Sequence, residues 1–226
     1  MSVLTRVDEL STKIEALRKL DLPDHIVLFA GSPDVQGVTE QLIESLFGDL
    51  SIQYVTLIFD KEVSGAHFLR DASLLLEKYE VRVHLLGSSK ETSPEAQALF
   101  AKMTTATRNF SQHHLSIAVN YNSRQEILQA AKHYVADKAH GRLNGESLGE
   151  ATFREYLLTR EIPDPDLIIN TDKKRCISNA LLWQLAYTEF WTSDKTWADL
   201  TSSDLIEAIV AYQFRQRRFG GLTQPT

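Results

Sequence analysis

The sequence of 226 residues predicts an α/β fold, with a mostly parallel central sheet covered by helices on both faces. Three observations lead there. Short runs such as His25-Ile-Val-Leu-Phe29 and Tyr54-Val-Thr-Leu-Ile-Phe59 are apolar almost throughout, as strands buried on both faces of a parallel sheet are. Between them lie segments whose apolar residues recur at helical spacing. The two kinds of segment alternate along the chain, as they do when parallel strands are joined by crossover helices.

Each element follows from its own residues. Val3, Leu4, Val7, Leu10, Ile14, Leu17 and Leu20 keep helical spacing, and Leu22-Pro23 stops that helix. After the first strand, Val38 to Phe47 reads as a helix, and Tyr54–Phe59 as the second strand. Phe68 to Tyr79 is helical, Val81–Leu86 a third strand, Ser93 to Phe110 a longer helix, and His114–Asn120 a fourth strand. Ser123-Arg-Gln-Glu126 has the spacing of a capping box, in which the two side chains satisfy free N–H groups at the start of a helix running to Ala136. The glycine-rich loop His140–Gly149 joins helices rather than domains, because Leu167-Ile-Ile169 reads as a further strand of the same sheet. One domain over residues 1–226 is expected. A polar loop from Asn170 to Cys176 leads to an apolar-rich helix opening at Ser178-Asn179. A last helix ends in Arg217-Arg-Phe-Gly-Gly221.

Composition narrows the function classes. A hydrophobic content of 43% with 24% charged residues suits a globular core. The formal net charge of -6 argues against nucleic acid as a partner. The single cysteine, Cys176, excludes an internal disulfide framework and fits a reducing compartment. No apolar run approaches the roughly 20 residues that cross a bilayer. The first residues carry acids and lack a signal-peptide core. A cytoplasmic protein with at most peripheral membrane contact is expected.

Several residues invite chemistry, each with a plainer reading beside it. Asp164-Pro-Asp166 could suggest a metal, but interleaved prolines before a strand read first as a turn. His113-His114 are adjacent on a strand and point to opposite faces, which disfavours shared metal ligation. Arg124 could face phosphate or pair with an acid on its own helix. Arg215, Arg217 and Arg218 suit the negative end of the last helix. Trp183, Tyr187, Phe190, Trp191 and Trp197 read as core and interface residues. Cys176 reads as a small hydrophobe.

Taken together, Asp164-Pro-Asp-Leu167, Ile177-Ser-Asn179, Leu181-Leu-Trp-Gln-Leu-Ala-Tyr187 with Glu189, and Arg218-Phe-Gly220 resemble the C-terminal part of the cis-prenyltransferase family. Pro23-Asp-His-Ile26, Val81-Arg-Val with Gly87, and Asn120-Tyr121 with Arg124 extend the likeness more faintly. The resemblance implies an undecaprenyl diphosphate synthase-like fold, a dimer, an apolar tunnel, and isopentenyl and allylic diphosphates as substrates. It also implies a catalytic aspartate that holds Mg2+ just after the first strand. Here that position is Gly31, and the phosphate-binding arginine of the same motif is Val35; Asp34 lies three positions late and Asp60 stands after the second strand. Of the isopentenyl diphosphate residues, both arginines are replaced, by Asn170 and Cys176, while Ser178 is kept.

The C-terminal Arg218-x-Gly220, which in the family reaches across the dimer to the neighbour's diphosphate, is also kept. The pattern is similar to that of the non-catalytic, Nogo-B receptor-type subunit of a heteromeric cis-prenyltransferase. Such a subunit would have no catalytic residue of its own. Arg218, Gly220, Ser178 and Arg124 would be its diphosphate contacts, Glu189 a metal or diphosphate ligand, and Mg2+ would sit in the partner's site. The alternatives are a divergent self-sufficient prenyltransferase and a non-catalytic isoprenoid-binding homodimer.

Overall fold

In the computed structural model, which describes residues 12, 14–30, 38–59, 72–88, 90, 92–143, 147–171 and 180–215, the apolar runs form one sheet of six strands. These are β1 (His25–Ala30), β2 (Tyr54–Phe59), β3 (Val81–Gly87), β4 (His113–Val119), β5 (Leu167–Asn170) and β6 (Glu189–Thr192). Their order is β3-β4-β2-β1-β5-β6, and every neighbouring pair is parallel. In β1, Ile26 pairs with Val55 on one side and Leu167 on the other. Ile26, Val27 and Leu28 are at most 1% exposed, so both faces of β1 are covered. The expected fold class is observed.

The helices are α1 (Val38–Ile43), which continues as a π-helical turn through Glu44–Asp49, α2 (Ser73–Lys78), α3 (Pro94–Ala106), α4 (Ser123–Ala139), α5 (Glu150–Arg154) and α6 (Ser202–Gln213). On one face of the sheet, Ile26, Leu28, Val55, Leu57, Leu115 and Ile117 pack with Leu42, Leu46 and Phe47 of the α1 segment, Phe100 and Met103 of α3, and Leu205 and Ile209 of α6. The other face carries a smaller cluster, with Val27, Phe29, Ile58, Ala118 and Ile168 under Ile162, Ala180 and Leu181. Burying each such large apolar side chain contributes about 1.5–3 kcal/mol. Trp197, read as core, is buried, and Trp183 packs on Phe153 at 4.7 Å between ring centres. Among the described residues no helix is long and apolar enough to cross a membrane.

Four expectations change. The helix placed from Val3 to Leu20 is observed at residue 12 and over residues 14–17, then loosens into a turn, and residues 1–11 lie outside the described residues. The helix expected to reach Phe110 stops at Ala106, where the Thr107 hydroxyl donates to Met103 O at 2.8 Å. Ser123 and Glu126 do not form a capping box. Asn122 is the N-cap, its side chain accepting from Gln125 N at 3.1 Å, and Glu126 turns inward. The stretch from Ala180 to Thr188 is a chain of turns rather than a helix. Leu181 takes a positive φ of 50°, which interrupts helical winding, and Thr188 is drawn away by donating to Pro165 O at 2.8 Å. Glu189 opens β6.

Candidate functional site

Parallel strands end at one rim of the sheet, and ligands of such folds bind outside those carboxyl ends. The rim here is tightly built. Gly87 ends β3 at φ +93°, and a Cβ there would sit 2.2 Å from Val119 O, so only glycine lets β3 and β4 close. Beyond β4, Asn120 also has a positive φ of 46°. Thr171 Oγ1 donates to Phe29 O at 2.7 Å, tying the end of β5 to the end of β1.

Beside this rim opens a cavity of about 800 Å³. One wall is the first turn of α4 with Arg124, and the other is apolar, from Leu182, Leu185, Ala186 and Phe190. Arg124 is exposed and has no acid partner among the described residues, so the ion pair on its own helix is not formed. A guanidinium and free N–H groups at a helix start can hold an anion, and the apolar wall can hold a hydrocarbon.

Glu126 holds the two walls together, a role not assigned to it from sequence. Its Oε2 accepts from Tyr121 Oη at 2.5 Å and from Gln184 Nε2 at 3.3 Å, and its Oε1 accepts from Leu158 N at 2.8 Å. Gln184 Nε2 also donates to Thr159 Oγ1 at 2.7 Å. Burial and the neighbouring Glu126 raise the Tyr121 phenol far above its ordinary range, so it stays a donor. The signal available in the sequence was Asn122, which can cap the helix alone and leaves Glu126 for other work.

The other candidates divide. Asn170 is buried at the end of β5, opposite Phe29 of β1 and Thr192 of β6. Glu189 accepts from Arg215 Nη1 at 2.7 Å, so the acid is matched by a cation of its own chain. Asp166 is structural: its Oδ2 accepts from Asp24 N at 2.9 Å and His25 N at 3.2 Å, while Asp164 pairs with Arg154 at 3.1 Å. His113 and His114 do diverge. His113 Nδ1 donates to Ile52 O at 2.8 Å, and His114 lies 3.0 Å from His84 on the neighbouring strand. Ser178, Arg218, Gly220, Cys176, Gly31, Asp34, Val35 and Asp60 lie outside the described residues.

Comparison with known proteins agrees with this architecture. A prenyltransferase family model with the description "Putative undecaprenyl diphosphate synthase" matches residues 53–220. The chain is 40% identical over 161 residues to a tritrans,polycis-undecaprenyl-diphosphate synthase (geranylgeranyl-diphosphate specific) of Thermoplasma volcanium, covering 68% of this chain and 62% of that protein. It is 41% identical over 148 residues to an isoprenyl transferase of Thermotoga maritima, covering 66% of this chain and 63% of that protein. The matched part thus spans a little under two thirds of the length of these relatives. Among solved structures, lavandulyl diphosphate synthase from Lavandula x intermedia in complex with dimethylallyl diphosphate superposes with a TM-score of 0.73 at 25% identity, over 88% of this chain and 98% of that one. A "probable undecaprenyl diphosphate synthase" from Campylobacter jejuni gives 0.72 at 21% identity, over 89% and 100%, a likeness of fold.

Proposed function

Because the chain belongs to the undecaprenyl diphosphate synthase family of prenyltransferases, we propose that it is the accessory subunit of a heteromeric cis-prenyltransferase. It would pair with a catalytic homologue and lend Arg218 and Gly220 to that partner's diphosphate site. The observation that carries this reading is Asn170. At the end of β5, where the family places an arginine for isopentenyl diphosphate, a neutral side chain is buried among its neighbours. A charge-assisted bond there contributes about 1.5–3 kcal/mol, so its absence alone weakens substrate binding by roughly ten- to a hundredfold.

Three further features support it. Position 31 is glycine and cannot ligate a metal. Glu189 is engaged by Arg215, so among the described residues this acid is already matched by a cation and is a poor holder of the Mg2+ that the family's chemistry calls for. In this reading that ion belongs to the partner. The family match also begins at residue 53, after the first-strand segment where the catalytic aspartate belongs. Against an isoprenoid-carrying homodimer, Leu42, Ile43, Leu46, Phe47 and Leu50 are each at most 2% exposed in the same core as β1 and β2.

A second reading, a divergent enzyme that works alone, is favoured by relatives at 40 and 41% identity whose names denote prenyl transfer. Prenyl transfer from isopentenyl and allylic diphosphates separates the two. The purified chain is assayed alone and mixed with a cis-prenyltransferase homologue from the same source. The accessory reading expects polyprenyl diphosphate only from the mixture, at a rate at least about tenfold lower with Arg218→Ala. Equal product from the chain alone would establish the second reading instead.

A further inference from the structure

A second concave site lies along β3, away from the rim. Arg82 stands five residues before the end of that strand, about 16 Å down it at the usual rise. A cleft of about 350 Å³ opens there, lined by Arg82 and His84 of β3, Arg108 just beyond α3, and Arg160 and Glu161 of the turn before β5. The protein as a whole has a formal net charge of -6, yet this cleft gathers three arginines around a single acid. Arg82 Nη2 reaches Glu161 Oε2 at 3.3 Å. Arg108 and Arg160, both exposed, have no acid partner among the described residues.

The wall behind them is rigid. His84 Nε2 lies 3.0 Å from His114 Nδ1, the two rings stack at 5.3 Å, and Tyr54 stacks on His114 at 4.6 Å. Burial, His114 and Arg82 lower the His84 pKa to about 4. The form of the ligand follows from the strand edge. β3 is the outermost strand, but Val83 N already donates to Thr107 Oγ1 at 2.9 Å, which obstructs a peptide adding as a further strand.

We infer that this cleft binds a small oxyanion of the phosphate class, gripped by the guanidinium groups of Arg108 and Arg160 with Arg82 beside them. A guanidinium presents paired N–H donors at the spacing of two phosphate oxygens, and two such groups without acid partners give the site its affinity.

The test is an NMR titration of the full chain with inorganic pyrophosphate at pH 7 and constant ionic strength. The imidazole signals of His84 and His114 report the cleft locally. Saturable shifts are expected, and the combined substitution Arg108→Ala/Arg160→Ala should weaken binding about tenfold or more. Both positions are exposed, and the amide spectrum verifies that the fold persists. Arg124→Ala, at the other cavity, should leave the His84 shifts unchanged. Absence of shifts at millimolar pyrophosphate, indifference to the double substitution, or dependence on Arg124 would each overturn the assignment.

Discussion

Glu126 shows how much one side chain's direction decides. Three donors, from Tyr121, Gln184 and the backbone of Leu158, converge on its two oxygens in a site only 6% exposed. Glu126→Ala removes the acceptor that these donors share and leaves Gln184 only its bond to Thr159, an expected loss of about 2–3 kcal/mol, measurable as a lower urea midpoint. Glu126→Gln, which keeps one acceptor, should lose less. The sequence made the acid visible but not its aim. Ser123-x-x-Glu126 fits the capping pattern, yet the cap is Asn122 and the acid faces a turn more than thirty residues away. No spacing rule carries that information, because the partners come from the link between β4 and α4, the turn before β5 and the segment before β6. Asp164 and Asp166 read as turn residues from their prolines, but Asp166 bonds the backbone of Asp24 and His25 and Asp164 pairs with Arg154, contacts that the turn pattern does not announce.

At the scale of elements, Thr201-Ser-Ser-Asp204 makes the capping box that the earlier segment does not. Asp204 Oδ2 accepts from Thr201 N at 2.8 Å and from Thr201 Oγ1 at 2.6 Å, and Lys195 Nζ reaches Oδ1 at 2.6 Å. Burial would raise this carboxyl, but the bonds from Lys195 and Thr201 hold it below its ordinary range. α6 contributes Leu205, Ala208 and Ile209 to the core, so its start bears on the whole face. Asp204→Ala is expected to cost about 2–3 kcal/mol at neutral pH, with the difference from the parent shrinking as pH falls into the carboxylate range, read from paired urea titrations. Most strands were legible because an apolar run with no polar face suits little else. β6 was not, since Glu189-Phe-Trp-Thr192 continues an apolar, helix-like stretch and becomes a strand through pairing with β5. The turns before it depend on Leu181 adopting a left-handed backbone, which leucine does not announce.

For the molecule as a whole, buried histidines make stability depend on mild acid. His25 Nδ1 donates to Pro163 O at 2.8 Å and Nε2 accepts from Thr56 Oγ1 at 2.8 Å, so the neutral ring joins β1 to β2 and to the turn before β5. Burial lowers its pKa from 6.5 to about 4. The unfolded chain takes up this proton near pH 6.5 and the folded chain only near 4, so folding loses stability across that window. The loss from His25 alone amounts to about 3 kcal/mol by pH 4, and His84 adds in the same direction. Urea titrations at pH 7 and pH 5 should show the decline, and His25→Gln should flatten it while lowering stability at pH 7. The overall fold was legible from alternation alone, whereas of the candidate cavity only Arg124 was legible, because a wall assembled from segments far apart in the chain does not show in one dimension.

The central position of β1 has a consequence for how the chain acquires its shape. β1 is flanked by β2, which follows soon after it, and by β5, which does not. His25 receives the carboxylate of Asp166 from 141 residues downstream. At ordinary translation rates of roughly 5–20 residues per second, that separation is on the order of ten seconds of synthesis. During that interval β1 to β4 can assemble while one edge of β1, among the most apolar segments of the chain, stands open to other nascent chains. Folding of this protein therefore closes late, and its yield in the cell should depend on chaperone cover of that one strand.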